Sequence, residues 1–318
     1  MKHVLTLLMM TVLVMPAWGN ETAEEWLEEG NSLYIQGNYT GAIQAYEKAI
    51  MLNSDYAEAW NNKGFILYNL GEYDEAISAY DEALRLDPEN SRAWNNKGNT
   101  LFDQGNYTEA VLAYDEALRL EPNLTVTWYN KGMVLYNLGN YTEAILAYDE
   151  VLKLDREYAV AWNNKGLAFY NLGKYEEAII AYDEAIWLDP QDTAPWNNKG
   201  NVLYRLGKYA EAIKCFDMAI RLDPDAVVWT NKGNAVYAQG NYTGAIQAYN
   251  EAIKLDQEYA AAWNNKGLAL YDIGNYTGAI QAYDEAIKYD PNFKMALNNK
   301  AIACNSKGET LYRGFRKT

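Results

Sequence analysis

The sequence predicts an all-α fold, a solenoid built from antiparallel helix pairs stacked side by side. Three observations predict it. Tryptophan recurs every 34 residues at Trp26, Trp60, Trp94, Trp128, Trp162 and Trp196, then at Trp229 after 33 and Trp263 after 34 more. Inside each interval, apolar residues fall at helical spacing in two separate stretches. A glycine-centred break divides the stretches, and an Asp-Pro pair or its equivalent closes the second. Such a unit exposes apolar surface on both flanks and cannot bury it alone, so neighbours must stack.

The elements follow in chain order. Lys2 and His3 precede the apolar run from Val4 to Met15, and small residues stand at Ala17 and Gly19. Residues 1–19 read as a secretory signal peptide, with cleavage before Asn20. The run is shorter than the roughly 20 residues that span a bilayer. The mature chain is therefore expected to be soluble, without a transmembrane segment, and secreted or held in the cell envelope. With tryptophan as position 4, residues 20–293 carry eight repeats: 23–56, 57–90, 91–124, 125–158, 159–192, 193–225, 226–259 and 260–293. Residues 294–318 form a partial ninth unit, a capping helix followed by a basic tail.

The second repeat shows how the residues dictate the hairpin. Trp60, Gly64 and Leu67 form one helical stripe, and Tyr73, Ile77, Tyr80 and Leu84 form another. Gly71 supplies a left-handed turn between them, Asp74 stands where an N-cap is wanted, and Asp87-Pro88 ends the second helix. Small residues at Gly64, Ala76 and Ala83 permit close approach. The tyrosines at positions 17 and 24 read as core residues with a hydroxyl at the edge.

Trp60, Gly64, Leu67, Tyr68, Gly71, Tyr73, Ala76, Tyr80, Ala83 and Pro88 match the tetratricopeptide signature. The chain thus resembles the tetratricopeptide repeat (TPR) family over residues 23–293. That resemblance implies a right-handed superhelix whose first helices line a concave groove where peptide ligands lie.

Composition narrows the function. The chain has 318 residues with 49% apolar and 14% aromatic, which excludes disorder. Its net charge of −16 repels a phosphate backbone, so nucleic acid is not an expected partner. The only histidine is His3 and the only cysteines are Cys215 and Cys304, so no metal site, cofactor or His-dependent catalysis is expected. Both cysteines are expected to be buried and unbridged, because their repeats are too far apart for the roughly 7 Å that a disulfide requires.

Groove positions carry an asparagine row. Position 6 is Asn62, Asn96, Asn130, Asn164, Asn198, Asn231, Asn265 and Asn299, and position 5 adds Asn61, Asn95, Asn163, Asn197, Asn264 and Asn298. A carboxamide donates and accepts, so a row at constant spacing could clamp an extended peptide backbone. The arrangement resembles the asparagine ladder of the O-GlcNAc transferase superhelix. The alternative is that these amides bond to neighbouring repeats. Capture of a C-terminal carboxylate is disfavoured, since only Arg92 provides a cation at positions 2, 5 and 6.

Lysine fills position 7 from Lys63 to Lys266 and again at Lys300. Its stem is expected to pack while the ammonium reaches outward, with an acid of the inter-repeat turn as a possible partner. Asp-Glu at positions 25 and 26, as in Asp183-Glu184, reads as a solvated surface. Sequons at Asn38, Asn106, Asn123, Asn140, Asn241 and Asn275 fall in turns open to N-glycosylation. A purely local account of Asn-Tyr-Thr also exists: asparagine suits the turn, tyrosine packs and threonine caps the second helix.

No phosphate loop, dinucleotide motif or nucleophile–base pair occurs, so the chain is not expected to be an enzyme. The leading expectation is an extracytoplasmic scaffold that binds an extended peptide or protein segment in the groove. The alternative is a self-associating envelope or surface element. A third reading is glycan binding by groove-edge aromatics Tyr68, Phe102, Tyr136 and Tyr170.

Overall fold

The computed structural model describes residues 21–315, with side chains through residue 308. The predicted signal peptide lies outside the described residues. All described secondary structure is helical. Two compact units are present, one up to Thr127 and one from Trp128 onward.

The first unit holds α1 (Ala23–Ile35), α2 (Tyr39–Leu52), α3 (Ala57–Asn69), α4 (Tyr73–Leu86), α5 (Ser91–Asp103), α6 (Tyr107–Leu120) and the start of α7 (Thr125–Asn137). The second continues with α8 (Tyr141–Leu154), α9 (Ala159–Asn171), α10 (Tyr175–Leu188), α11 (Thr193–Arg205), α12 (Tyr209–Leu222), α13 (Ala226–Ala238), α14 (Tyr242–Leu255), α15 (Ala260–Asp272), α16 (Tyr276–Tyr289) and α17 (Lys294–Phe315). Within each unit, consecutive helices pack as hairpins and hairpins stack in chain order.

The turn inside each hairpin explains the glycine at position 15. At Gly71 φ is +80°, and the Gly71 N–H donates to the Tyr68 carbonyl while the Glu72 N–H reaches back to that of Leu67. This is a Schellman ending, which closes one helix and aims the next. The second helix then starts at Tyr73 with Glu72 as N-cap, so Asp74 lies within the first turn rather than at the cap. In the Asn-Tyr-Thr turns the cap is asparagine, not threonine. Asn38, Asn241 and Asn275 accept from the N–H groups of Gly41, Gly244 and Gly278.

The position-24 ring is the centre of each hairpin. Tyr46, Tyr80, Tyr114, Tyr148, Tyr182, Phe216, Tyr249 and Tyr283 are at most 2% exposed. Each packs against the position-8 glycine of the partner helix, so closely that a Cβ there would meet the ring edge at 2.4–2.8 Å. Position-4 tryptophans serve the joints between repeats. The indole N–H of Trp94, for example, donates to the Pro88 carbonyl in the preceding turn at 3.0 Å.

Two expectations for the chain's end and its cysteines change. Cys215 is buried, but Cys304 is exposed on α17, where no second helix covers its face among the described residues; both thiols are free. α17 runs unbroken through Phe315, passing Gly308 without a left-handed turn. No helix among the described residues is long and apolar enough to cross a membrane.

Candidate interaction surface

The first helices of each unit present the asparagine row, and geometry shows how its amides are used. Asn96 Nδ2 donates to Asn61 Oδ1 at 3.3 Å, Asn198 to Asn163 at 3.0 Å, Asn231 to Asn197 at 3.1 Å and Asn299 to Asn264 at 3.1 Å. Three rungs take other acceptors. Asn62 and Asn265 donate to the position-9 residues Asn31 and Asn234, whose Oδ1 atoms also receive the phenols of Tyr46 and Tyr249. Asn164 donates to the Tyr129 hydroxyl, because tyrosine replaces asparagine at that position 5. Asn95 accepts from the Thr127 hydroxyl.

The row is therefore a zipper between successive repeats. Every position-6 asparagine is half-buried, Asn163 and Asn264 are buried, Asn61, Asn95 and Asn197 are half-buried, and Asn298 is exposed. Within a repeat, Asn61, Asn163 and Asn264 donate onward to Asn62, Asn164 and Asn265. A primary amide has two N–H groups, so the Asn198 amide, held by one bond, still turns a second donor toward its surroundings. Bonds to neighbours fix the rotamers, so any ligand meets polar groups already oriented.

A second inter-repeat ladder runs two turns further along. The Tyr68 hydroxyl donates to Asp103 at 2.6 Å, Asn171 donates to the Tyr136 hydroxyl at 2.8 Å, and Tyr237 bonds Asp272. The hydrogen bond to Asp103, then burial, pushes the Tyr68 phenol up to about 12. The rings of Tyr68, Phe102, Tyr136 and Tyr170 are half-buried against Tyr73, Tyr107, Tyr141 and Tyr175.

Between the two ladders lie side-chain-sized slots. One of 240 Å³ is lined by Tyr204, Asn234, Tyr237, Tyr249, Asn265 and Leu268. A smaller one of 140 Å³ sits among Met133, Tyr136, Asn137, Tyr148, Asn164 and Leu167. Both repeat the same combination: an apolar residue at position 9 or its neighbour, aromatic walls and a ladder amide.

The position-7 lysines pair as the sequence allows, but with acids of the second helices rather than of the turns. Lys63 bonds Glu47 at 2.8 Å, Lys97 bonds Asp81 at 2.5 Å, Lys165 bonds Asp149 at 2.6 Å and Lys232 bonds Asp217 at 2.7 Å. Each acid is the position-25 residue of the preceding repeat, so that carboxylate is not merely solvated. The same ammonium groups lie over the position-4 indoles, as Lys232 does over Trp229 at 4.7 Å.

Lys266 is the exception. Asn250 replaces its acid, leaving the ammonium over Trp263 at 4.8 Å without an ion pair among the described residues. Desolvation holds its pKa below the ordinary lysine value. Restoring the acid with Asn250→Asp is expected to raise that pKa and stabilise the fold by about 0.5–1 kcal/mol at neutral pH. Urea unfolding and NMR titration of the lysine provide the check.

The sequons at Asn38, Asn106, Asn123, Asn140, Asn241 and Asn275 are exposed at turns. The Asn106 side-chain amide donates to Gln104, whereas the three capping asparagines use only their oxygens in the cap. What sequence reasoning missed was the pairing partner: residues 16 and 35 positions apart carry no local signal.

A family model described as "Tetratricopeptide repeat" matches residues 66–124, 129–195, 187–227, 197–260, 230–293 and 264–310, and one described as "TPR repeat" matches 30–71. No curated protein matches the chain. Among solved structures it is similar to YrrB, a TPR protein with an unusual peptide-binding site, at 25% identity and TM-score 0.54, over 62% of this chain and 99% of that one. A tetratricopeptide repeat protein from Parabacteroides merdae is 20% identical, TM-score 0.56, over 78% of this chain and 98% of that one. MamA from Desulfovibrio magneticus is 26% identical, TM-score 0.51, over 52% of this chain and 94% of that one.

Proposed function

We propose that this chain, which belongs to the tetratricopeptide repeat family, is an extracytoplasmic scaffold that holds an extended segment of a protein partner against its first helices. The fold class is one built for protein–protein interaction, and its members are generally not enzymes. One observation carries the finer reading. Preoriented carboxamides recur at one per repeat, beside slots of 140 and 240 Å³ that fit single side chains. The amides would engage peptide groups, and the slots would select side chains, apolar ones with a hydrogen-bonding tip suiting the tyrosine and asparagine walls best. YrrB, similar in fold and 25% identical, has a peptide-binding site, which makes the same use of this surface reasonable. The extracytoplasmic part rests on the leader-like residues 1–19 and the exposed sequons.

Because the asparagines also join repeats, removing them would confuse binding with stability. Filling the slots separates the two. Leu268→Trp and Leu167→Trp are expected to abolish binding of peptides selected by the wild-type chain from a random display library, with the thermal midpoint changed by only a few degrees. Undiminished binding by both variants would remove the groove reading.

A further inference from the structure

The second helices carry a regular exposed ion pair. Glu82 and Arg85, Glu116 and Arg119, Glu150 and Lys153, Glu251 and Lys254, and Glu285 and Lys288 close across three residues at 2.5–2.8 Å. α10 keeps the acid as Glu184 but replaces the cation with Trp187. Glu184 has no ion pair among the described residues, while its neighbour Asp183 is already bonded to Lys199 at 2.5 Å. Trp187 is 76% exposed, an unusual setting for the largest apolar side chain, and Ile180 two turns earlier on the same face is 61% exposed. Trp187, Glu184, Asp183 and Leu188 join Arg156 and Glu157 of the preceding turn around an open cleft of 670 Å³.

We propose that this cleft docks a cationic side chain of a protein partner, an arginine or lysine flanked by apolar residues. The sister helices show that a guanidinium or ammonium fits against this glutamate. In α10 the internal cation is missing and an aromatic face stands in its place, so an external cation gains both the carboxylate and the ring. Apolar flanks of the partner segment would cover Ile180 and the rest of the indole, the kind of exposed anchor that dominates interfaces. The chain's net charge of −16 steers a basic segment toward it. Among the described residues, Arg156 makes no ion pair with these acids and is the one positive group lining the cleft, which defines the competing outcome below. The site uses the second helices, not the asparagine-lined face, and stands or falls independently of the groove reading.

The test is fluorescence anisotropy with two labelled hexapeptides, one alternating leucine with arginine and one alternating leucine with glutamate. The full chain is expected to bind the arginine peptide and not the glutamate peptide. Trp187→Arg rebuilds the sister ion pair and is expected to weaken binding about tenfold, and Glu184→Gln to weaken it severalfold. Arg85, Arg119 and Arg221 already occupy that helix position, so the variant is expected to fold. If it does not, Glu184→Gln alone decides. Leu268→Trp, on the opposite ladder, is expected to leave this binding unchanged. Equal affinity of the wild type and both α10 variants overturns the proposal, as does absence of binding to the arginine peptide. Preference for the glutamate peptide also overturns it and assigns the cleft to an anion through Arg156.

Discussion

Valine at Gly166 is expected to cost the fold about 3 kcal/mol, at the upper end for overpacking a core. A Cβ at that position would stand 2.6 Å from Cε1 and 2.8 Å from Cδ1 of Tyr182, well inside contact distance. Tyr182 is 1% exposed and cannot swing aside without unpacking the hairpin formed by α9 and α10. The strain should therefore appear as faster hydrogen exchange of the amides of those two helices and a lower urea midpoint. Relief by truncating the ring is diagnostic. Gly166→Ala combined with Tyr182→Leu should be less destabilised than the sum of the single changes. Strict additivity would show that the glycine is there for another reason. Gly173 is a useful contrast, since nothing lies within 4 Å of a Cβ there and only its φ of +73° opposes alanine. That change should cost only about 1 kcal/mol.

Alkaline pH is expected to dismantle the repeats between pH 10 and about 12. Burial raises the phenols of Tyr46, Tyr80, Tyr114, Tyr148, Tyr182, Tyr249 and Tyr283 above their ordinary value of 10, that of Tyr46 to about 12. Above pH 10 the unfolded chain releases protons that the folded chain retains, so stability, complete below pH 10, falls as pH rises through the folded values. A fully protected phenol forfeits about 1.4 kcal/mol for each pH unit in that window, and seven of them together exceed the usual stability of a domain. Phenolate absorbance of these groups should rise together with the loss of helical circular dichroism. Tyr182→Phe should move the alkaline midpoint upward with little change at neutral pH, as Phe216 fills the equivalent place in α12. Phenolate formation complete while the helices persist would refute the burial on which the expectation rests.

The candidate surface was legible in outline. The row at position 6 could be read directly, because a repeat copies a side chain onto the same angular position of every first helix. Two readings of it, lining a groove or joining repeats, could not be separated by that argument. The choice of Asn31 rather than a position-5 residue as acceptor for Asn62 depends on the residue at position 9 of the neighbouring repeat. Likewise, the acid at position 25 looked solvated from its own helix, yet Lys165 arrives from the next repeat to meet Asp149.

The sequence by itself determined the repeat register, the helix pairs and the glycine turns. These depend on spacing along one chain segment, where 3.6 residues per turn converts order into direction. Only the tertiary structure decided which amide bonds which neighbour, which lysine lacks its acid, that Cys304 is exposed, and that Trp187 leaves Glu184 without a cation. Those outcomes depend on the offset between two packed helices, which is set jointly by side chains of both and is written in neither alone.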